Sequence, residues 1–121
     1  VTEALITEIW REVNSHSAGL LVVSLTSGIQ VHPEAAVRSE FAESLSVREL
    51  NYPERRLAKY AAREGPPFLA LLYPFLDHVE RTGEYLHGFE NAELGSGHWN
   101  QRGHQLGGEL IADRICADLT K

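Results

Sequence analysis

Two kinds of apolar pattern alternate along this chain. Over residues 2–16, apolar side chains recur every four positions, which is the spacing of an amphipathic helix. A continuous apolar run follows at residues 20–25, and its lack of alternation favours a strand that is covered on both faces. Residues 68–72 form a second run of this kind. Because helical patterns precede, separate and follow the two runs, the sequence predicts an α/β fold with two parallel strands.

Further helices are predicted from periodicity and from residue types at helix ends. They cover residues 35–45, 51–64, 74–82 and 101–119. Asn51 is the expected N-cap of the second of these helices, Glu54 stands where a capping box needs it, and Gly65 ends the helix. In the last helix, Gly103 and Gly107 fall on the inner face. We therefore expect the backbone of that helix to lie close to the sheet.

The remaining segments are predicted loops within one domain, residues 1–121. Residues 26–33 follow the first strand. Residues 83–97, the glycine loop, contain four glycines and exceed the length of an ordinary connection, which favours a functional role. Doubly wound sheets have about five strands, so two strands alone would expose their edges. We expect the chain to self-associate through those edges.

Composition narrows the classes of partner. A length of 121 residues, 43% hydrophobic and 23% charged, is typical of a soluble globular domain. The net charge of -6 argues against nucleic acid as a partner. No apolar run approaches the roughly 20 residues of a membrane span, and the first residues do not resemble a signal peptide. The single cysteine, Cys116, excludes an intrachain disulfide, and we expect it to be buried and inert in the last helix.

Candidate chemistry lies in the His98 segment, residues 97–104, which reads Gly-His-Trp-Asn-Gln-Arg-Gly-His. His98 would lie between the glycine loop and the last helix, where a side chain can point into the ligand crevice of an α/β fold. Histidine is also the usual general base at neutral pH. The structural alternative makes Asn100 the N-cap of the helix and Trp99 an apolar anchor.

The His98 segment resembles the C-terminal block of the SGNH (GDSL-type) hydrolases, where a catalytic His is followed by an Asn and by a Gly-His that opens the last helix. Residues 21–31 resemble the fourth strand of that family and the loop after it. Residues 51–57 resemble the helix before the fifth strand, and residues 68–72 resemble that strand. The resemblance implies a three-layer, flavodoxin-like fold of which this chain is the C-terminal portion.

What the resemblance implies for activity is an ester hydrolase in which His98 takes the proton of a nucleophilic serine. The family's nucleophile block and its oxyanion-hole Gly and Asn precede the region matched here, and the chain does not begin with Met. We therefore expect the isolated chain to be inactive. Carbohydrate O-acetyl esters are the expected substrate class in the parent protein, without a cofactor.

The group that would orient His98 stays open. The family places an aspartate two or three residues before its catalytic His, and Ser96 and Gly95 stand there in this chain. Glu93, Glu90 or a backbone carbonyl are alternatives, as is a Ser-His dyad. The departure at Ser96 also motivates a non-catalytic reading, in which a domain derived from the same fold serves binding or assembly.

Two other functional interpretations are possible, and the sequence disfavours both. Residues 24–28 superficially resemble a nucleophile block, which would make Ser24 the nucleophile of a compact complete esterase. However, Val22 and Val23 stand where that block has Gly and Asp. A phospho-acceptor receiver domain is disfavoured because the acidic pair and the lysine that it needs are not in place.

The other histidines receive structural interpretations. We expect His104 to be a structural hydrogen-bonding residue of the last helix, and its spacing from His98 matches no common zinc motif, so no metal is predicted. The four remaining histidines are expected to be solvated: His16, His32, His78 and His87.

Overall fold

The computed structural model describes residues 1–121, the whole chain, and confirms the α/β class. The elements in chain order are α1 (Thr2–Ser15), β1 (Val22–Ser24), a 3₁₀ turn (Ile29–Val31), α2 (Ala35–Ser44), α3 (Tyr52–Glu64), β2 (Phe68–Ala70), α4 (Leu72–Thr82) and α5 (Gln101–Leu119). The two strands pair in parallel, with Val23 opposite Leu69. The predicted loop at residues 26–33 thus contains a 3₁₀ turn.

Both strands are shorter and less covered than predicted. Each has three residues, and all of these are half-buried rather than buried on both faces. The sheet contains only β1 and β2, so each strand has one unpaired edge. The prediction of full coverage was wrong because α3 and the core side chains cover the sheet only partly.

The core lies around α4 instead. Six apolar side chains are almost fully buried: Val31, Leu71, Leu72, Phe75, Val79 and Leu86. Trp99 and three apolar residues of α5 pack against this cluster. α4 begins at Leu72, two residues before its predicted start, and Pro74 fits in its first turn, where the backbone N–H has no helical partner to lose. Leu86 and Trp99 belong to the connection between α4 and α5, so the core extends directly into that connection.

The helix α1 is only loosely attached. It contains no buried residue, and Leu5 and Ile9 are 59% and 52% exposed. Contacts with α3 hold it in place: the hydroxyls of Thr7 and Tyr60 lie 2.6 Å apart, and Glu3 pairs with Arg56 at 2.7 Å. The predicted apolar stripe therefore forms, but much of it faces solvent.

The N-terminus of α3 differs from its prediction in detail. Asn51 occupies the N-cap position without a side-chain capping bond: its Oδ1, the atom that would accept from the helix, is buried without a partner, and its Nδ2 donates to Glu49 at 2.9 Å. Glu54 does not complete a capping box. Its carboxylate is buried and accepts from Gln30 Nε2 at 3.3 Å, which ties α3 to the 3₁₀ turn. Gly65 ends α3 in the left-handed conformation, as predicted.

The C-terminal end of α5 is also exposed. Ile115 and Leu119 are 44% and 81% exposed. Cys116 beside them is exposed as well, so the prediction of a buried thiol was wrong. The reason is that the tightly packed part of α5 is its N-terminal half, around the buried Gly103 and Gly107. None of the helices combines the length and apolar character that a membrane crossing needs.

Candidate functional site

The glycine loop is a packed structure that folds back on the His98 segment. Gly88 N–H donates to His98 O, and Asn100 N–H donates to Leu86 O, each at 3.0 Å. Between these bonds, His87 and Trp99 form an antiparallel bridge. The main chain of His98 is therefore held by a short ladder rather than carried on a free loop.

The entry into α5 fixes the other end of the segment. Asn100 Oδ1 accepts from Gly103 N–H at 3.0 Å, which confirms Asn100 as the N-cap. Its Nδ2 donates to Tyr85 O at 2.7 Å, so the same side chain also binds the glycine loop. The cap thus couples the start of α5 to the residues opposite His98.

Gly103 and Gly107 lie on the inner face of α5, as predicted, but they do not serve approach to the sheet. A Cβ on Gly103 would lie 2.3 Å from Leu86 O, and one on Gly107 would lie 2.6 Å from the indole ring of Trp99. Both glycines therefore make room for the glycine loop and the His98 segment. The expected partner of these glycines was wrong because the atoms nearest to them belong to Leu86, Trp99 and Phe75 and not to the strands.

His98 itself presents an exposed side chain beside a cavity of about 350 Å³. Leu25, the first residue after β1, lines this cavity, which places it at the carboxyl end of the strand, where α/β folds bind ligands. The other lining residues are Thr26, His87, Phe89, Gly97, His98, Trp99 and His104. The ring of His98 makes no hydrogen bond, either to Glu90 or Glu93 or to a backbone carbonyl. The predicted catalytic role of His98 stays a prediction.

A buried polar network lies behind His98. His87 is 3% exposed, and its Nδ1 lies 2.8 Å from Gly97 O. Its Nε2 lies 3.1 Å from Thr26 Oγ1, and the same oxygen accepts from Trp99 Nε1–H at 3.0 Å. Burial lowers the pKa of His87 below its usual 6.5, and the nearby His98 lowers it further against the opposing bond to Gly97. His87 is therefore neutral at neutral pH.

The predictions for the other histidines were partly wrong. His87 and His78 are buried rather than solvated, and His78 Nε2 lies 2.7 Å from a carboxylate oxygen of Glu84. His104 is exposed and contacts the edge of Trp99 with ring centroids 5.6 Å apart, without the expected hydrogen bond. His16 is exposed, as predicted, whereas His32 is half-buried. The sequence signal that was missed for His87 is its position inside a long glycine-rich loop that was already expected to be functional.

Ser24 does not form a nucleophile–base pair with His98. Its hydroxyl oxygen is buried and has no hydrogen-bond partner. A serine nucleophile has to meet both its base and its substrate. This geometry gives no support to a compact esterase built on Ser24.

The comparisons with known proteins add no assignment. No family model, no curated protein and no solved structure matches this chain. No group of three or more His, Cys, Asp or Glu side chains is arranged to hold a metal ion. The site geometry and the residues of the His98 segment are therefore the features of the chain that indicate a function.

Proposed function

We propose that this chain is the C-terminal portion of an SGNH-type ester hydrolase and supplies its general base, His98. The observation that carries the proposal is the exposed imidazole of His98 beside a cavity at the carboxyl end of β1, within the segment that resembles the family's His block. Half-buried strands with unpaired edges support the finer assignment, since a portion of a larger three-layer, flavodoxin-like sheet would have both.

In the proposed reaction, a serine supplied by a preceding segment of the parent protein attacks the ester carbonyl. His98 accepts the hydroxyl proton and then delivers it to the leaving alcohol, which leaves an acyl-enzyme for water to hydrolyse. An exposed ring suits this role because a general base has to come within hydrogen-bond distance of the proton that it takes. Carbohydrate O-acetyl esters are the proposed substrates, with Leu25 and Phe89 as apolar walls of the cavity.

The first test measures hydrolysis of a chromogenic acetyl ester by the 121-residue chain and by its His98→Ala and Ser24→Ala variants. We expect no turnover above background from any of them, because the chain offers no paired serine. Turnover that disappears in both variants would contradict the proposal and make Ser24 a nucleophile.

The second test uses a protein in which an SGNH nucleophile segment precedes this chain. There, His98→Ala should lower kcat by roughly 10⁴–10⁶-fold, the range found when one member of a serine hydrolase triad is removed. His16→Ala, at an exposed histidine directly after α1, is the matched control and should leave kcat unchanged. Equal activities of the two variants would refute a catalytic role for His98.

A non-catalytic binding or assembly domain is the second candidate. It is favoured by Ser96, which stands where the resemblance expects an aspartate, and by the absence of any hydrogen bond that would orient the His98 ring. The unpaired strand edges fit self-association in this case. Sedimentation of the chain over a range of concentrations measures this assembly. Because self-association is also expected of an isolated portion of a larger sheet, the effect of His98→Ala on kcat with the nucleophile segment present is what separates the two functions.

A further inference from the structure

We propose that His87 and Thr26 are positioning residues for His98, because they fix the two residues on either side of it. His87 Nδ1 binds Gly97 O at 2.8 Å, and Thr26 Oγ1 binds Trp99 Nε1 at 3.0 Å. The two clamping side chains also bind each other at 3.1 Å. For its catalytic consequence, this inference rests on the proposed function.

The chemistry of the groups allows only one arrangement of protons in this network when His87 is neutral. The carbonyl of Gly97 can only accept, so His87 Nδ1 carries the proton. The indole of Trp99 can only donate, so Thr26 Oγ1 accepts from it and donates its own proton to the unprotonated His87 Nε2. All four groups are satisfied at once, and the ring of His87 is held in a single tautomer.

The clamp ties the His98 segment to the residues that directly follow β1. Thr26 comes two residues after the end of β1 and is 8% exposed. The glycine loop also docks on this segment through its backbone, since a Cβ on Gly28 would lie 1.9 Å from Gly95 O. The position of His98 along the cavity is therefore set by the residues that follow β1.

The effect on catalysis follows from geometry. A displacement of about 1 Å in a catalytic group can lower the rate by roughly 10²-fold. Because the ring of His98 makes no hydrogen bond of its own, its position depends on the main-chain ladder at His98 and on the clamp that holds Gly97 and Trp99. Loss of the Thr26 hydroxyl should therefore affect kcat more than KM.

Nuclear magnetic resonance of the 121-residue chain tests the clamp without reference to activity. Thr26→Val removes the hydroxyl at nearly constant shape, and Thr26→Ser keeps it as the matched control. In the wild type, we expect the ¹⁵N shifts of His87 to report the Nδ1–H tautomer. In Thr26→Val, the indole proton of Trp99 should exchange with solvent roughly tenfold faster, as expected when a buried hydrogen bond is lost, and the His98 signals should shift. Thr26→Ser should retain the wild-type values.

Two results would overturn the clamp: an Nε2–H tautomer of His87 in the wild type, or unchanged Trp99 exchange and His98 signals in Thr26→Val. If Thr26→Val does not fold, His87→Leu tests the clamp through its bond to Gly97, because leucine offers no hydrogen-bonding group, and unchanged His98 signals in that variant would likewise overturn the clamp.

The catalytic arm uses the ester hydrolase assay with the preceding nucleophile segment present. Thr26→Val should lower kcat by roughly 10²-fold with little change in KM, and Thr26→Ser should restore it. Full kcat in Thr26→Val, together with a disrupted clamp by resonance, would overturn the positioning role. Indifference of the activity to His98→Ala would instead refute the proposed function and leave the resonance test of the clamp intact.

Discussion

The glycine loop and the helix α1 are packed in opposite ways. Leu86, in the loop, is 1% exposed, whereas Leu5, in the helix, is 59% exposed. Loops usually lie on the surface, and helices in proteins owe most of their stability to a buried face. The connection that carries His98 is therefore packed more closely than the regular helix α1. The regular element α1 rests on a few contacts with α3.

Truncating each of the two leucines is the strongest test of this difference in packing between the glycine loop and α1. Leu86→Ala leaves a cavity beside Phe75 and its neighbours in the core and should lower the free energy of unfolding by about 2–5 kcal/mol. Leu5→Ala removes a side chain that is mostly in water and should change the free energy of unfolding by no more than about 0.5 kcal/mol. Urea denaturation followed by circular dichroism measures both. Equal losses would show that α1 contributes to stability as much as the loop does.

Methyl groups added on α5 test how closely the glycine loop packs against that helix. Gly103→Ala places a Cβ against the backbone carbonyl of Leu86, which cannot move aside cheaply, and should cost about 1–3 kcal/mol. Gly108→Ala, on the same helix with nothing within 4 Å of its Cβ position, should instead stabilise the chain by about 0.5–1 kcal/mol through helix propensity.

Thermal unfolding of the two glycine variants under the same conditions shows directly whether each substitution raises or lowers the stability of the chain. If Gly103→Ala were also stabilising, the glycine loop would have room to move away from α5. That result would contradict the tight packing on which the placement of His98 depends.

The sequence predicted those features that depend on neighbours along the chain. The helices followed from periodicity, and Asn100 was recognised as a cap because it bonds to Gly103 only three residues later. The coverage of the strands could not be predicted in the same way, since apolar content gives no measure of which elements lie over β1 and β2. The exposure of Cys116 was missed for the same reason.

The same distinction, between neighbours along the chain and distant contacts, applies to the residues of the candidate site. His98 could be identified because its neighbours form a recognisable segment. For His87, the sequence offered only its place in the glycine loop, because its partner Thr26 lies 61 residues away, and Trp99 reaches Thr26 across 73 residues. Such contacts form only when β1, the glycine loop and α5 have been brought together, and no local pattern encodes them.

The smallest predicted effect is a pH dependence that separates His87 from the exposed His16 at the end of α1. The folded-state pKa of His87 is lowered from 6.5, chiefly by burial, so below about pH 6.5 the unfolded chain binds a proton that the folded chain excludes. Stability should therefore fall as the pH drops from about 6.5 towards that lowered pKa, with a slope of at most about 1.4 kcal/mol per pH unit for one group.

The carboxylates with lowered pKa values, Glu3, Glu84 and Asp118, start from 4.5 or 3.8 and lose their stabilising effect only at lower pH. Their titration therefore does not obscure that of His87 between about pH 5 and 6.5. Urea midpoints across this range should show the His87 slope in wild type and in His16→Gln but not in His87→Gln. A slope that survives in His87→Gln would mean that His87 takes up its proton as readily in the folded chain as in the unfolded one. The loop would then be as open to water as α1, and the contrast between the two regions would not hold.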